Sequence, residues 1–363
     1  MPYSGSDIKG MNRRIVYDLL LHKGEMSRAE ISRMTGISAP TVLKIVEYLK
    51  ELGCIQEMGE GESALGRKPN LLRFDASIGY AIGVNFSGVD IKVGIVDFSG
   101  SICYKEQFPV VPDFKKVMKE ILPEQIRNII KRSGIAVEKI RGLSIGLPGV
   151  VNSTEKTIEL APLVGISDKS DYSVYITDLS GRLSMPVYFE NDANMAAMGE
   201  FKSRGYQSSD DLLFITIGKG LGAGLILGGK LRTGKRYFAG ELGYMIFDPE
   251  YHVANNNAGW LETNIRLDDL RNTAVPDMKA IDNLAVNLAL AIVNICISVD
   301  ITDVVLGRFK DEEFYKILIQ RINYYLREFS VLEINCGVPV CTDPTIVGCA
   351  HVIIDSETDR IFN

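Results

Sequence analysis

The chain has 363 residues, of which 46% are hydrophobic and 24% charged, with a formal net charge of −6. This is the composition of an ordinary globular protein with room for more than one core, so two or three folded units are expected and a disordered or fibrous chain is excluded. No uninterrupted apolar run reaches the roughly 18 to 20 residues of a membrane span, because the longest, 284–299, is broken by Asn287 and Asn294, and residues 1–10 lack a signal-peptide core.

Charge is unevenly distributed: residues 1–73 hold eleven Lys/Arg against nine Asp/Glu, a balance of +2, which leaves −8 for the remainder. Only this first unit suits DNA electrostatically. Residues 12–21 place Ile15, Val16, Leu19 and Leu20 at helical spacing, and His22-Lys23-Gly24 supplies a basic end and a glycine stop. Ser27 and Glu30 form a capping-box pattern for a second helix running to Met34. After the turn Thr35-Gly36-Ile37, Ser38 is expected to cap a third helix whose Val42, Ile45, Val46, Leu49 and Leu52 share one face.

Two short helices joined by a glycine-containing turn match the helix-turn-helix pattern, in which the second enters the major groove. Its candidate DNA contacts are Ser38, Pro40, Thr41 and Lys44. Residues 54–58 and 71–74 alternate like strands around a loop containing Gly66-Arg67-Lys68-Pro69, so Arg67 and Lys68 would form a basic wing suited to a minor groove or phosphates. The unit 1–75 therefore reads as a winged helix-turn-helix that binds operator DNA. A small packing or protein-interaction module is the alternative.

From residue 78 strands, glycine turns and helices alternate. The runs 80–84 and 93–96 flank Asn85-Phe86-Ser87-Gly88-Val89. A turn of this kind in an ATP-using phosphotransferase carries a carboxylate, glycines and a hydroxyl for Mg²⁺ and phosphate, and here Asn85 and Val89 occupy the carboxylate and hydroxyl positions. Residues 140–149 form a buried strand and turn, and 187–194 form a strand that delivers Asn191 and Asp192 to a helix expected over 195–204. Such groups face the crevice where open α/β sheets bind ligands. Gly218 to Ala223 fits G-x-G-x-x-A, but a strand and hairpin follow it, which removes the helix N-terminus a pyrophosphate needs.

Leu147-Pro148-Gly149, Glu190-Asn191-Asp192-Ala193-Asn194, Gly220-Leu221-Gly222-Ala223-Gly224 and Ala239-Gly240-Glu241-Leu242-Gly243, behind a helix-turn-helix, resemble the ROK family of repressors, open reading frames and kinases. The resemblance spans nearly the whole chain. It implies that residues 76–363 form an effector and dimerisation unit of two actin-like, hexokinase-like (ribonuclease H-like) α/β lobes, with a sugar cleft near 191–192. It also puts Asn191, Asp192, Glu241 and Glu262 at sugar hydroxyls, with Asp192 the general base of the family's kinases. Tyr244 stands where the family usually has His, which opens the choice of ligand. The bland reading of Asp192 is a helix cap.

The departures fall on the nucleotide side of that resemblance: Asn85, Val89, Lys219 in place of a Thr, and Arg308 in place of the second residue of a Gly-Gly pair. Lys219 is either a phosphate contact or a solvated turn residue. Many members bind zinc through a His and cysteines after the Gly-Glu-x-Gly-His segment, but residues 244–262 contain His252 and no cysteine. Structural zinc needs four N/S ligands, so no zinc is expected, and Trp260 would fill that place by packing. The six cysteines, at 54, 103, 296, 336, 341 and 349, lack CxxC spacing and read as buried thiols of the cytoplasm. The expected protein is a transcriptional regulator, a repressor, controlled by a sugar or sugar derivative in a catalytically silent cleft, without ATP requirement or membrane partner. A homodimer or dimer of dimers is implied by the resemblance alone. The alternatives are an active hexose or N-acetylhexosamine kinase carrying a DNA-binding head, and a protein-interaction scaffold.

Overall fold

In the head, helix α1 (Gly5–Lys23), strand β1 (Met26–Ser27), helices α2 (Arg28–Thr35) and α3 (Ala39–Glu51), and strands β2 (Ile55–Glu60) and β3 (Asn70–Phe74) follow one another, the strands pairing in the order β1-β3-β2. The computed structural model describes residues 5–60, 70–87, 90–110, 113–161, 164–166, 168–218, 220–252, 259–265, 278–309 and 312–362. The capping box closes as expected: the Ser27 side chain accepts from the Glu30 amide and Glu30 accepts from the Ser27 amide. Gly36 ends α2 in the left-handed region that glycine adopts without strain.

Three details differ from the sequence pattern. Helix α1 starts at Gly5 instead of 12. Ile15 is 44% exposed while Val16 and Leu20 are fully buried, because α1 is covered on a narrower stripe than four apolar residues suggest, and Leu52, beyond the end of α3, is 40% exposed. Ser38 occupies the N-cap position of α3, but its hydroxyl pairs with the Thr41 hydroxyl at 2.9 Å and with no backbone amide. The wing tip, with Arg67 and Lys68, lies outside the described residues.

The first lobe contains β4 (Tyr80–Phe86), β5 (Asp90–Asp97), β6 (Ile102–Pro109), helix α4 (Leu122–Ser133), β7 (Ile140–Leu147), β8 (Val150–Asn152), β9 (Thr157–Leu160), β10 (Ser170–Asp171), helix α5 (Ser173–Leu183) and β11 (Val187–Asn191). Helix α6 (Asp192–Ser203) leads into the second lobe: β12 (Leu212–Ile217), β13 (Leu221–Leu227), β14 (Lys230–Leu231), helices α7 (Trp260–Asn264) and α8 (Met278–Val299), β15 (Asp303–Leu306), helix α9 (Glu312–Phe329) and β16 (Asn335–Gly337). Helix α10 (Pro344–Phe362) follows. The main sheets are β11-β7-β4-β5-β6 and β14-β13-β12-β15-β16. In both, the first strand in sequence pairs antiparallel with the second, the second antiparallel with the third, and the fourth and fifth add in parallel on the other side. One topology used twice is the actin-like arrangement expected from the sequence.

Helix α8 is long and apolar enough to cross a membrane. Its face from Ile281 to Cys296 lies in the second lobe's core, so it is a core helix. Its one buried amide, Asn287, donates to the Asn283 carbonyl at 2.8 Å.

Helices α6 and α10 exchange lobes. Helix α6 leaves the first lobe and packs Ala196, Ala197 and Phe201 on Leu212, Phe214, Ile226 and Val305 of the second. Helix α10 follows the second lobe and lies on the first, so close that a Cβ on Gly83 of β4 would sit 2.1 Å from the Ile346 carbonyl oxygen. The two helices meet at backbone contact: a Cβ on Gly348 would fall 1.8 Å from the Met195 oxygen, and one on Gly199 1.9 Å from the Pro344 oxygen.

The far end of α10 completes the head. Val16, Tyr17, Leu20, Ile45 and Leu49 form one buried cluster with Ala81, Val96 and Phe98 of the first lobe and Ile346, Ala350, Ile353, Ile354 and Phe362 of α10. The Tyr17 ring meets Phe362 edge-on at 5.2 Å, the Tyr48 hydroxyl donates to the Ile361 carbonyl at 2.6 Å, and Arg14 Nη1 donates to Asp359 Oδ1 at 2.6 Å. The Arg14 to Asp359 pair is exposed and contributes about 0 to 1 kcal/mol, so apolar burial carries this junction.

Gly348→Ala is expected to cost about 1 to 3 kcal/mol or more, since the clash is with backbone and no side chain can yield. Gly181→Ala in α5, where a Cβ would meet nothing within 4 Å, is expected to be neutral or stabilising by up to about 1 kcal/mol. Denaturant melts of the two variants check the contrast.

Candidate functional site

A cavity of about 720 Å³ opens between the lobes. Its walls come from the ends of β4 and β7, the β11–α6 junction, the start of β13, the segment 241–244, α7, Gly307-Arg308 and the segment 339–345. The volume is within the roughly 300 to 1,000 Å³ of typical small-molecule sites.

The β11–α6 junction corrects the expected local structure. Helix α6 begins at Asp192, three residues before the expected start, and its cap is Asn191. Asn191 Oδ1 accepts from the Asn194 amide at 2.8 Å and Nδ2 donates to the Gly149 carbonyl at 2.8 Å. Much of the Asn191 amide is thus spent on holding the cleft's floor, with hydrogen-bonding capacity left over toward the cavity. Asp192 sits in the first turn and accepts from the Ala193 amide at 2.9 Å.

Asp192, Glu241 and Glu262 all line the cavity. Burial raises the Asp192 pKa to about 6, against the opposing pull of the Ala193 amide. Burial, then the charges of Asp192 and Glu262, raise Glu241 to about 7. Glu262, on α7, accepts from the Leu221 amide at 3.4 Å. Three carboxylates that crowd one end of a cleft are strong acceptors for the hydroxyls of a neutral, polyhydroxylated ligand. Tyr244 borders them, 38% exposed, with its ring edge-on to Phe238 at 6.3 Å. Burial and the charges of Glu241 and Glu262 push its phenol up.

Asn85 lies in β4 between Gly146 of β7 and Lys92 of β5, and Gly146 in turn lies against the Asp192 backbone. Arg308 lines the cavity, but its Nη1 also pairs with Glu312 at 3.3 Å. Val89 and Lys219 lie outside the described residues. Beyond Gly218 the chain continues as β13, antiparallel to β12, so no helix follows the Gly-x-Gly segment. Trp260 is partly buried and packs edge-on against Phe247 at 5.6 Å. His252 is exposed, and 253–258 lie outside the described residues. Five of the six cysteines are buried, but Cys103 is exposed on β6, where strand alternation turns it outward.

Sequence reasoning missed three contributors. Lys92 also lines the cavity; the hairpin register that sets it opposite Asn85 was its only local signal. Thr345, at the start of α10, donates to the Asp192 carbonyl at 3.4 Å across 153 positions of chain, a contact with no local signature. Glu200, fully buried in α6, accepts from Arg204 Nε at 2.7 Å and from the Val340 and Cys341 amides at 2.8 and 3.0 Å. It thereby fixes the cleft wall that contains Pro339, Cys341 and Thr342.

In the head, Ser38, Pro40 and Lys44 are exposed and Thr41 half-buried along the first half of α3. Lys44 makes no ion pair among the described residues, whereas Arg28 and Lys50 are engaged with Glu57.

A two-lobed actin-like fold behind a winged helix-turn-helix head defines a sugar-kinase-like core joined to a DNA-reading module. Residues 81–266 match the model of the ROK family, and residues 12–56 match that of a winged helix-turn-helix DNA-binding domain. The chain belongs to the ROK family. It is 30% identical over 258 residues to the xylose repressor of Caldicellulosiruptor bescii, covering 70% of this chain and 63% of that protein. The fold is that of a ROK family transcriptional regulator described as a homolog of the E. coli MLC protein, with a TM-score of 0.76, 20% identity and 98% of each chain covered. It is also similar to a ROK family glucokinase from Streptomyces griseus in complex with glucose and AMPPNP, with a TM-score of 0.61, 21% identity, and 76% of this chain and 100% of that chain covered.

The raised carboxylates make a prediction for the ligand-free protein. Between the unfolded value near 4.5 and the folded value near 7, the folded state binds more protons at Glu241 than the unfolded state does. Its contribution is therefore fully present below about pH 4.5 and lost as pH rises through 7. Glu241→Gln is expected to remove the greater part of this slope and to raise the melting temperature at pH 8 by on the order of a few degrees. Thermal melts from pH 5 to 8 check both.

Proposed function

We propose that this protein is a DNA-binding transcriptional repressor whose operator affinity is set by a sugar or sugar derivative in the interlobe cleft, and that the cleft does not transfer phosphate. The observation that carries the reading is the run of α10 from the cleft, where Thr345 touches Asp192, to the head, where Phe362 packs on Tyr17. A ligand that draws the lobes together rotates α6 against α10 and so moves the head. In a homodimer this changes the spacing of two α3 helices that must match half-sites about 34 to 36 Å apart. The family membership and the relative named as a xylose repressor support this reading. We place the protein in the cytoplasm, with operator DNA and a sugar as its partners and no zinc or nucleotide required.

Fluorescence anisotropy with DNA from the protein's own upstream region, with and without a panel of pentoses, hexoses and N-acetylhexosamines, tests the proposal. Saturable binding that one sugar shifts at least fivefold is the expected result, and no binding to that DNA overturns it. Lys44→Ala is expected to weaken binding and to reduce the slope of log affinity against log salt by about one if Lys44 meets a phosphate.

The second reading, an active sugar kinase with a DNA-binding head, is favoured by Asp192, whose pKa near 6 suits a general base. Against it, Asn85 removes a carboxylate on which Mg²⁺ and phosphate positioning would depend. No turnover of Mg-ATP with the same sugars is expected, and Asn85→Asp alone is expected to create none. Turnover that disappears in Asp192→Asn would establish the kinase.

A further inference from the structure

Three neighbours cover parts of helix α3. Val42, Ile45, Val46 and Leu49 are buried in the head's core. Tyr48 turns toward α10, where its hydroxyl donates to the Ile361 carbonyl at 2.6 Å, and the Arg13 guanidinium lies 3.3 Å over its ring. Lys50 turns toward the sheet and pairs with Glu57 of β2 at 2.9 Å. What stays uncovered is Ala39, Pro40, Leu43, Lys44 and Glu47, all exposed. They form two adjacent rows at i, i+4 spacing, Ala39-Leu43-Glu47 and Pro40-Lys44.

The two rows differ in chemistry. Lys44 can meet a phosphate, as can the Ser38 and Thr41 hydroxyls at the start of the helix. The side chains of Ala39, Leu43 and Glu47 carry no donor, and a phosphate oxygen needs one, so their row does not serve the DNA backbone. The Glu47 carboxylate is repelled by it. Leu43 is 41% exposed in the middle of that row. Single exposed leucines are common on protein surfaces, but this one stands one turn into the second helix of the helix-turn-helix, the element that enters the major groove. In that groove every base presents donors or acceptors, and thymine alone adds a methyl group.

Resting on the reading of the head as an operator-binding unit, we propose that Leu43 determines operator specificity by packing on the 5-methyl group of a thymine in each half-site, while Lys44 in the next row meets the backbone. Leucine has no hydrogen bond to offer, so the methyl is the one group on a base edge that it can read. A cytosine at the same position lacks the methyl and leaves its amino group buried against an apolar side chain without a partner. Removing one methyl from a buried apolar contact corresponds to about a fourfold loss of affinity.

The test selects binding sites for the full-length protein from a random duplex library and then measures affinity for the selected site by fluorescence anisotropy. Each thymine in turn, at matching positions of the two half-sites, is replaced by deoxyuridine, which removes the methyl and leaves every hydrogen-bonding group in place. The expected result is a position at which deoxyuridine weakens binding by about fourfold or more. In Leu43→Ala the thymine and deoxyuridine duplexes bind within about twofold of each other, and in Leu43→Met the difference is largely kept. Melting temperatures of both variants show that they fold. Deoxyuridine that nowhere weakens binding by about threefold, or a loss that survives Leu43→Ala, overturns the inference and leaves the repressor reading standing. A library from which no sequence is enriched overturns both.

Discussion

The proposed link between cleft and head depends on the crossing of α6 and α10 at Gly199 and Gly348. Two helices ordinarily keep their axes 8 to 10 Å apart because side chains stand between them. Here glycine lets backbone meet backbone, with hypothetical Cβ positions under 2 Å from carbonyl oxygens. Since α6 grows out of the first lobe and rests on the second, while α10 grows out of the second and rests on the first, the crossing is where the two lobes are joined. Each helix also begins at the cleft: α6 with Asp192, α10 with Pro344 and Thr345.

The head is attached to this crossing by shared core. Helix α10 is 19 residues long, about 28 Å at 1.5 Å per residue, and its last turns are buried with Val16, Tyr17 and Leu20. Apolar burial has no preferred direction, but the Tyr48 hydrogen bond to Ile361 and the edge-on Tyr17 to Phe362 contact fix the orientation. A rotation at the crossing therefore reaches the surface that carries Lys44 without a separate linker.

Much of this was legible in the sequence. The capping box at Ser27, the glycine at 36 and the apolar face of α3 are local patterns, and local patterns determine short helices well. The Asn191-Asp192 pair at a strand end was legible as crevice residues, since its placement follows from strand-to-helix geometry, whereas Glu241 came from the family resemblance alone. Contacts between distant segments were not legible. Nothing near Glu200 announces that it receives the amides of Val340 and Cys341, and nothing near Phe362 announces Tyr17. Gly199 and Gly348 carry no local signal of their contact, because the reason for a glycine is the backbone it lets approach. The start of α6 was misplaced because Asn191 reads as a ligand group, and its second use as a cap appears only with Gly149 in view.

In the proposed mechanism cleft occupancy reaches the head through α10. Hydrogen exchange of the full-length protein, measured peptide by peptide with and without a saturating cleft ligand, tests it most directly. Altered protection is expected in 192–203, along 344–362 to its last turn, and in α1, with α4 unchanged. Altered protection confined to the cleft, with the last two turns of α10 and α1 untouched, would contradict it.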